Sequence, residues 1–163
     1  MKEDFCIRLG TEADIPCISS MADAFRRELG RQQPSHAEFA RRIAGLIDDP
    51  DTDYLVALDE GGACAGFLQQ RYRKDIWTTG GEAYIEDLFV ARESRRRGLG
   101  GKLVETAVVR ALARGCSLVT LDTNERNGPA ISLYESLGFT CGGGPATDLG
   151  GGRQLWLTRR LDT

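Results

Sequence analysis

The stretch Ala83–Gly101, AYIEDLFVARESRRRGLGG, constrains the fold more than any other part of the chain. An apolar run holding two adjacent carboxylates, Glu86 and Asp87, reads as a strand over Ala83–Val90. The arginines Arg95, Arg96 and Arg97 follow. Gly98, Leu99, Gly100 and Gly101 then open a helix expected to reach Ala113, with Leu99, Leu103, Val104, Ala107, Val108, Ala111 and Leu112 as its buried face. Gly115 stops that helix, and Leu118–Leu121 is the next strand, so a parallel, right-handed β-α-β crossover is expected. Glycines let a backbone approach a ligand closely, and free amides at a helix start favour an anion. Arginines add charge-assisted bonds to phosphate oxygens. The spacing is neither GxxxxGK[ST] nor GxGxxG, which disfavours an NTPase or a dinucleotide dehydrogenase. Taken alone, the loop also suits a glycine-bearing turn with solvated arginines.

The rest of the chain supplies a frame for this unit. Phe5–Leu9 reads as a strand. Thr11 and Asp14 have capping-box spacing before a helix whose apolar positions are Ile15, Ile18, Met21, Ala22, Phe25 and Leu29, ended by Gly30. Ser35 caps a second helix carrying Phe39, Ile43, Leu46 and Ile47, and the acidic run Asp48–Asp51 is its solvated exit. Tyr54–Leu58 and Ala63–Tyr72 form a hairpin across Asp59–Gly62. Lys74–Gly81 is a loop whose Trp77 either lines a substrate pocket or caps the core edge. Beyond Leu121, Asp122–Gly128 reads as a polar loop and Pro129 as the first turn of a short helix reaching Leu137. A strand begins at Gly138–Thr140, Gly142–Gly152 is a glycine-rich hairpin tip, and Gln154–Thr158 closes the chain. The order β-α-α-β-β-β-α-β-α-β-β is α+β, with a mixed central sheet and helices on both faces. One domain over residues 1–163 is expected.

Composition removes several function classes. The formal net charge is −3, from 21 basic and 24 acidic side chains. A nucleic-acid binder is expected to be basic, so no nucleic-acid partner is expected. No run approaches the ~20 apolar residues that span a bilayer, and the N-terminus has no signal-peptide pattern. No membrane association and a cytoplasmic location are therefore the expectation. The cysteines Cys6, Cys17, Cys64, Cys116 and Cys141 are odd in number and lack CxxC spacing, which points to reduced, mostly buried thiols and to no metal. His36 is the only histidine. It sits at a helix start and reads as solvated, so proton transfers fall to carboxylates, tyrosine or water.

A second segment, Asn127–Phe139, follows the next strand, where ligands gather beyond strand C-termini. Asn127 either bonds a cofactor amide or caps the short helix. Tyr134 either donates a proton or packs as an aromatic. Three motifs then stand together: YIEDLFV, R-x-x-G-x-G at Arg95–Gly100, and N-x-x-A-x-x-L-Y-x-x-x-G-F at Asn127–Phe139. In spacing and order they resemble the GNAT family of acetyl-CoA-dependent N-acetyltransferases. Many members have glycine where Arg96 stands, a departure expected to leave the amide cradle intact.

The resemblance implies acetyl-CoA as co-substrate and direct transfer of its acetyl group to a primary amine. Pantetheine would run along the backbone of Leu88, Phe89 and Val90. The pyrophosphate would meet the amides of Arg96–Gly101, with Arg95 at the edge of the loop and Asn127 on the other side. Glu86 is the candidate base, through a water. Tyr134 resembles the family's acid, which protonates the departing thiolate. Asp87 and Trp77 are candidate acceptor-binding residues. Regular pleating puts Asp87 on the face opposite Glu86, and the bulge that the resemblance implies would change this. The YIEDLFV motif is closest to small-molecule amine and polyamine enzymes, so a cationic small-molecule amine is the expected partner, with Glu82, Glu86 and Asp87 suiting its charge. A protein or peptide N-acetyltransferase and a non-catalytic acyl-CoA-binding module are the alternatives. The resemblance also allows a homodimer. Specificity is expected from the first two helices, the Lys74–Gly81 loop and the Gly142–Gly152 tip.

Overall fold

The computed structural model describes residues 5–142 and 152–162, so most of the expected hairpin tip, over 143–151, lies outside the described residues. The elements follow the expected order: β1 (Phe5–Leu9), α1 (Ile15–Glu28), α2 (His36–Leu46), β2 (Thr52–Asp59), β3 (Cys64–Arg73), β4 (Glu82–Val90), α3 (Leu99–Ala113), β5 (Leu118–Asn124), α4 (Gly128–Ser136), β6 (Thr140–Cys141) and β7 (Gln154–Arg160). The seven strands hydrogen-bond in the order β1-β2-β3-β4-β5-β7-β6. Two compact units are distinguishable. One comprises residues up to Arg71 with Glu86–Ala107, the other Tyr72–Ile85 with the chain from Val108 onward.

In the first unit β1, β2 and β3 form an antiparallel meander, with Leu55 opposite Leu68 and a register shift at Ala57/Leu58. Alternation along the strands divides its side chains between two faces. Tyr54 and Val56 of β2, Phe67 of β3 and Phe89 of β4 form a core with Ile18 of α1 and Ile43 of α2. Phe25 stacks on Phe89 at 5.3 Å. On the other face the Gln70 amide donates to the Ala107 carbonyl of α3 at 3.0 Å. Gly66 has no room for a side chain, since a Cβ there would sit 2.7 Å from the Phe89 carbonyl oxygen.

The helix starts are as the capping residues dictate. The Asp14 carboxylate accepts from the Thr11 amide at 2.7 Å and from the Arg8 guanidinium at 2.7 and 2.9 Å. The Ser35 hydroxyl accepts from the Glu38 amide at 3.2 Å. His36 opens α2, exposed, with Nδ1 3.9 Å from Asp23.

In the second unit β4 and β5 pair in parallel, Glu82 with Leu118 through Ile85 with Leu121. β5 continues antiparallel to β7 as far as Asn124 opposite Gln154. The expected loop from Asp122 therefore begins three residues later. Asp122, Thr123 and Asn124 are polar, but the β7 backbone holds them in the ladder, and hydropathy is blind to that.

The cysteines also depart from expectation. Cys17 of α1 and Cys64 at the start of β3 form a disulfide, 47 positions apart in sequence and with Cα atoms 5.8 Å apart. Cys6 and Cys141 are free and exposed, and only Cys116 of the free thiols is buried. Helix-on-sheet packing brings Cys17 to Cys64, and sequence spacing carries no sign of such a pairing. No helix of the described residues is long and apolar enough to cross a membrane.

Candidate functional site

The loop after β4 has its shape set by two left-handed residues. Arg92–Ser94 makes one turn of 3-10 helix, Arg95 is extended, Arg96 has φ 64° and Gly98 has φ 78°. Helix α3 then begins, its first bond running from the Lys102 amide to the Gly98 carbonyl at 3.2 Å. The amides of Leu99, Gly100 and Gly101 precede it and have no i−4 carbonyl inside the helix, so they form the positive end of its dipole. A side chain at Gly98 would meet nothing within 4 Å, which leaves the turn open there. A left-handed non-glycine residue costs about 1–2 kcal/mol. Arg96 takes that conformation nonetheless, so the loop keeps the path that glycine would give it.

The three arginines are in different situations. Arg95 clamps the loop. Its Nε donates to the Val90 carbonyl at 2.9 Å, its Nη2 bonds both oxygens of Glu28 at 2.8 and 2.7 Å, and its guanidinium lies 5.5 Å from the Phe89 ring centre. Arg97 stacks 4.5 Å from the centre of the Phe5 ring. Arg96 is exposed.

The carboxylates of β4 also divide. Glu82 is buried, accepts from Arg73 at 3.2 and 3.0 Å, and takes a short hydrogen bond from the Thr120 hydroxyl. This corrects the expectation that Glu82 serves a cationic substrate, because the strand pairing encloses it. Glu86 and Asp87 are both exposed, which breaks the alternation of β4. Glu86 lies 3.9 Å from Arg71. Burial pushes the Tyr54 phenol far above its ordinary range, with Asp87 adding to the rise, Arg71 opposing it and Glu86 adding a little more. Leu88 and Val90 are half-buried and Phe89 is buried. Their backbone continues β4 beyond Ile85, where the ladder to β5 ends.

Two small pockets lie beside Asp87 in this unit. One, of about 160 Å³, is lined by Ala22, Phe25, Arg26, Arg31, Phe39 and Phe67, among others. The second, of about 190 Å³, shares Ala22, Phe39 and Phe67 and adds Arg42, Tyr54 and Gln69. The first two helices thus line a pocket with Asp87. The individual residues Phe25, Phe39, Tyr54 and Gln69 had no sequence signal, since each falls on an apolar face or within a core strand.

In the second unit Tyr134 of α4 is buried edge-on against Phe139, ring centres 6.0 Å apart. Its phenol is pushed up to about 12 by burial, with Asp122 adding to the rise. Asn127 caps α4, its Oδ1 accepting from the Ala130 amide at 3.3 Å. Trp77 is 87% exposed in the loop before β4, beside a hollow lined by Thr78, Ser117 and Arg160. It does not cap the core edge.

Comparison with known proteins gives the same picture. The acetyltransferase (GNAT) family model matches residues 18–139. The chain is 31% identical over 109 residues to thialysine N-epsilon-acetyltransferase of Sus scrofa, covering 63% of this chain and 64% of that protein. It is 30% identical over 114 residues to aminoglycoside N(6')-acetyltransferase type 1 of Klebsiella aerogenes, covering 68% of this chain and 74% of that one. Among solved structures, a spermidine N-acetyltransferase from Vibrio cholerae, in complex with CoA and spermine, superposes with a TM-score of 0.80 at 16% identity over 98% of this chain and 96% of that one. The chain thus spans just under two thirds of the pig relative's length. With the arginine–glycine loop, the β4 carboxylates and a family match over most of its length, the chain belongs to the GNAT family of acetyltransferases.

Proposed function

We propose that this protein transfers an acetyl group from acetyl-CoA to a primary amine of a small cationic molecule. The observation that carries this reading is the loop opening α3, where Arg96 and Gly98 are left-handed and free helix-start amides follow. Such amides suit a pyrophosphate, and the open space at Gly98 leaves room for one. The exposed carboxylates Glu86 and Asp87 lie in the same unit, on the strand that leads into this loop. The curated relatives in thialysine and aminoglycoside chemistry act, by their names, on amines carried by small molecules, which supports the acceptor class.

When bound, acetyl-CoA supplies an activated acetyl thioester. The amides of Arg96–Gly101 hold its pyrophosphate, and the peptide groups of Leu88, Phe89 and Val90 receive the pantetheine arm. Arg97 adds charge to the loop and Arg95 braces it through Glu28 and Val90, while Asn127, which caps α4, is a further candidate contact for the cofactor. An amine at neutral pH is protonated and must lose a proton before attacking. Glu86 takes that proton through a water, and Asp87 holds the ammonium group beforehand. The new bond joins nitrogen to the acetyl carbon, and the carbon–sulfur bond breaks. Tyr134 gives its proton to the departing sulfur, and the second proton shed by the nitrogen restores the phenol. A phenol pushed up to about 12 stays protonated at neutral pH, as a donor must.

Incubation with acetyl-CoA and a panel of amines, while following free thiol, tests the reading. Thiol release that depends on the amine is expected. CoA binding without turnover on any amine or peptide marks a non-catalytic module instead.

A further inference from the structure

The pocket beside Asp87 carries a charge pattern that narrows the acceptor. In the 160 Å³ pocket, Asp87 provides the negative charge and Arg26 and Arg31 the positive charge. Arg26 is already engaged. Its guanidinium lies 2.6 Å from Asp23 and donates to the Pro34 carbonyl at 2.5 Å. Arg31 is exposed, and its side chain makes no ion pair or hydrogen bond among the described residues. Apart from Gln33, the remaining lining is apolar, with Ala22, Phe25, Leu29, Pro34, Phe39 and Phe67. Beside Asp87, the adjoining pocket adds Tyr54 and Gln69, at 4% and 9% exposure, whose side chains have no hydrogen-bond partner among the described residues. Their polar atoms are open to a ligand in that pocket.

We infer that the acceptor is a primary amine joined by a short apolar spacer to a carboxylate. This rests on the acetyltransfer reading but replaces a net-cationic acceptor with a zwitterion whose amine end is the cation. The ammonium end faces Asp87, with Tyr54 and Gln69 completing its hydrogen bonds. The spacer lies against the phenylalanines, and the carboxylate meets Arg31, whose planar fork suits it. A linear diamine would set its second ammonium against Arg31, and like charges there oppose binding. Size points the same way. The two adjoining pockets, of about 160 and 190 Å³, are each below the ~300–1,000 Å³ of pockets for drug-sized ligands.

The test compares 6-aminohexanoate, hexylamine and 1,6-diaminohexane, which share an amine and a six-carbon skeleton and differ at the far end. Thiol release gives kcat/KM for each, and calorimetry on the CoA-loaded protein gives binding. 6-Aminohexanoate should exceed the diamine about tenfold in both, because attraction to Arg31 in one becomes repulsion in the other. Hexylamine should fall between them. Arg31→Met should collapse that ratio toward one, and Arg31→Lys should retain most of it. A diamine preference, or a ratio that Arg31→Met leaves intact, overturns the inference while leaving acetyltransfer standing. If no amine releases thiol, the acetyltransfer reading fails. The calorimetric ranking then decides the carboxylate preference by itself.

Discussion

The two halves of β4 carry the same kind of side chain to opposite ends. Glu82, at its start, is buried against Arg73 and Thr120 and is closed into the fold. Glu86 and Asp87, four and five residues on, are exposed, and the nearest cation to Glu86 is Arg71 at 3.9 Å. Asp14 belongs with Glu82, since it holds Arg8 through both oxygens while capping the start of the first helical segment. A carboxylate enclosed by its own arginine contributes stability and has little left for a substrate. Glu86, exposed and 3.9 Å from an exposed Arg71, keeps its chemistry.

The largest effect should come from the groups on the proposed proton path. Glu86→Gln and Tyr134→Phe are each expected to lower kcat by about 100- to 10,000-fold. CoA affinity, measured by calorimetry, should stay near that of the parent. An unchanged kcat in either variant removes that residue from the proton path. Because Tyr134 is held up to about 12, the parent's rate should not decline as pH rises through about 9–10, where an ordinary tyrosine begins to ionise. A decline there that vanishes in Tyr134→Phe would mean that the phenol titrates as if it were solvated.

Glu82→Ala should show the reverse pattern. Glu82 is buried but its Arg73 partner is 60% exposed, so the loss of this carboxylate and of its bond from the Thr120 hydroxyl is expected to cost about 1–3 kcal/mol, read as a lower Tm. The rate at low temperature should remain. If Glu82→Ala instead abolishes turnover in a protein of normal Tm, the division between the halves of β4 fails.

Asp14→Ala should cost less, about 1–2 kcal/mol, since a cap and a partly exposed ion pair are lost. The hydrogen bond from Arg8 is the main cause that holds the Asp14 carboxyl below its ordinary value, with burial opposing it. A lowered folded value means the contribution is fully present above the unfolded value of about 3.9 and disappears as pH falls through the lowered one. Chemical denaturation at falling pH should show parent and variant converging in the acid range.

The smallest effect is expected at the loop. Arg96→Gly relieves a left-handed arginine and should raise stability by about 0.5–1 kcal/mol, partly offset by the greater chain entropy of glycine. CoA binding should weaken modestly with the lost charge. A loss of stability would show that the Arg96 side chain, rather than the conformation of the loop, holds this turn.

Much of this was readable in the sequence. The helix periods, the capping residues Ser35 and Asp14, and the glycines after the arginine run are local signals, and each element arose where they stood. The end of β5 was not readable, because Asp122–Asn124 are held by β7 rather than by their own hydropathy. The disulfide was hidden for a similar reason, since nothing near Cys17 or Cys64 in sequence marks their meeting.

The candidate site divides along the same line. The sequence by itself determined the strand–loop–helix unit, the order of the elements and the family, because the turn and helix-start chemistry is encoded over a few neighbouring residues. Only the tertiary structure decided which carboxylate stays open, which arginine is already paired, and that Tyr54, Gln69 and Arg31 lie in pockets with Asp87. Burial and ion pairing depend on residues distant in the chain, and a side chain's freedom to act is what remains after they are satisfied.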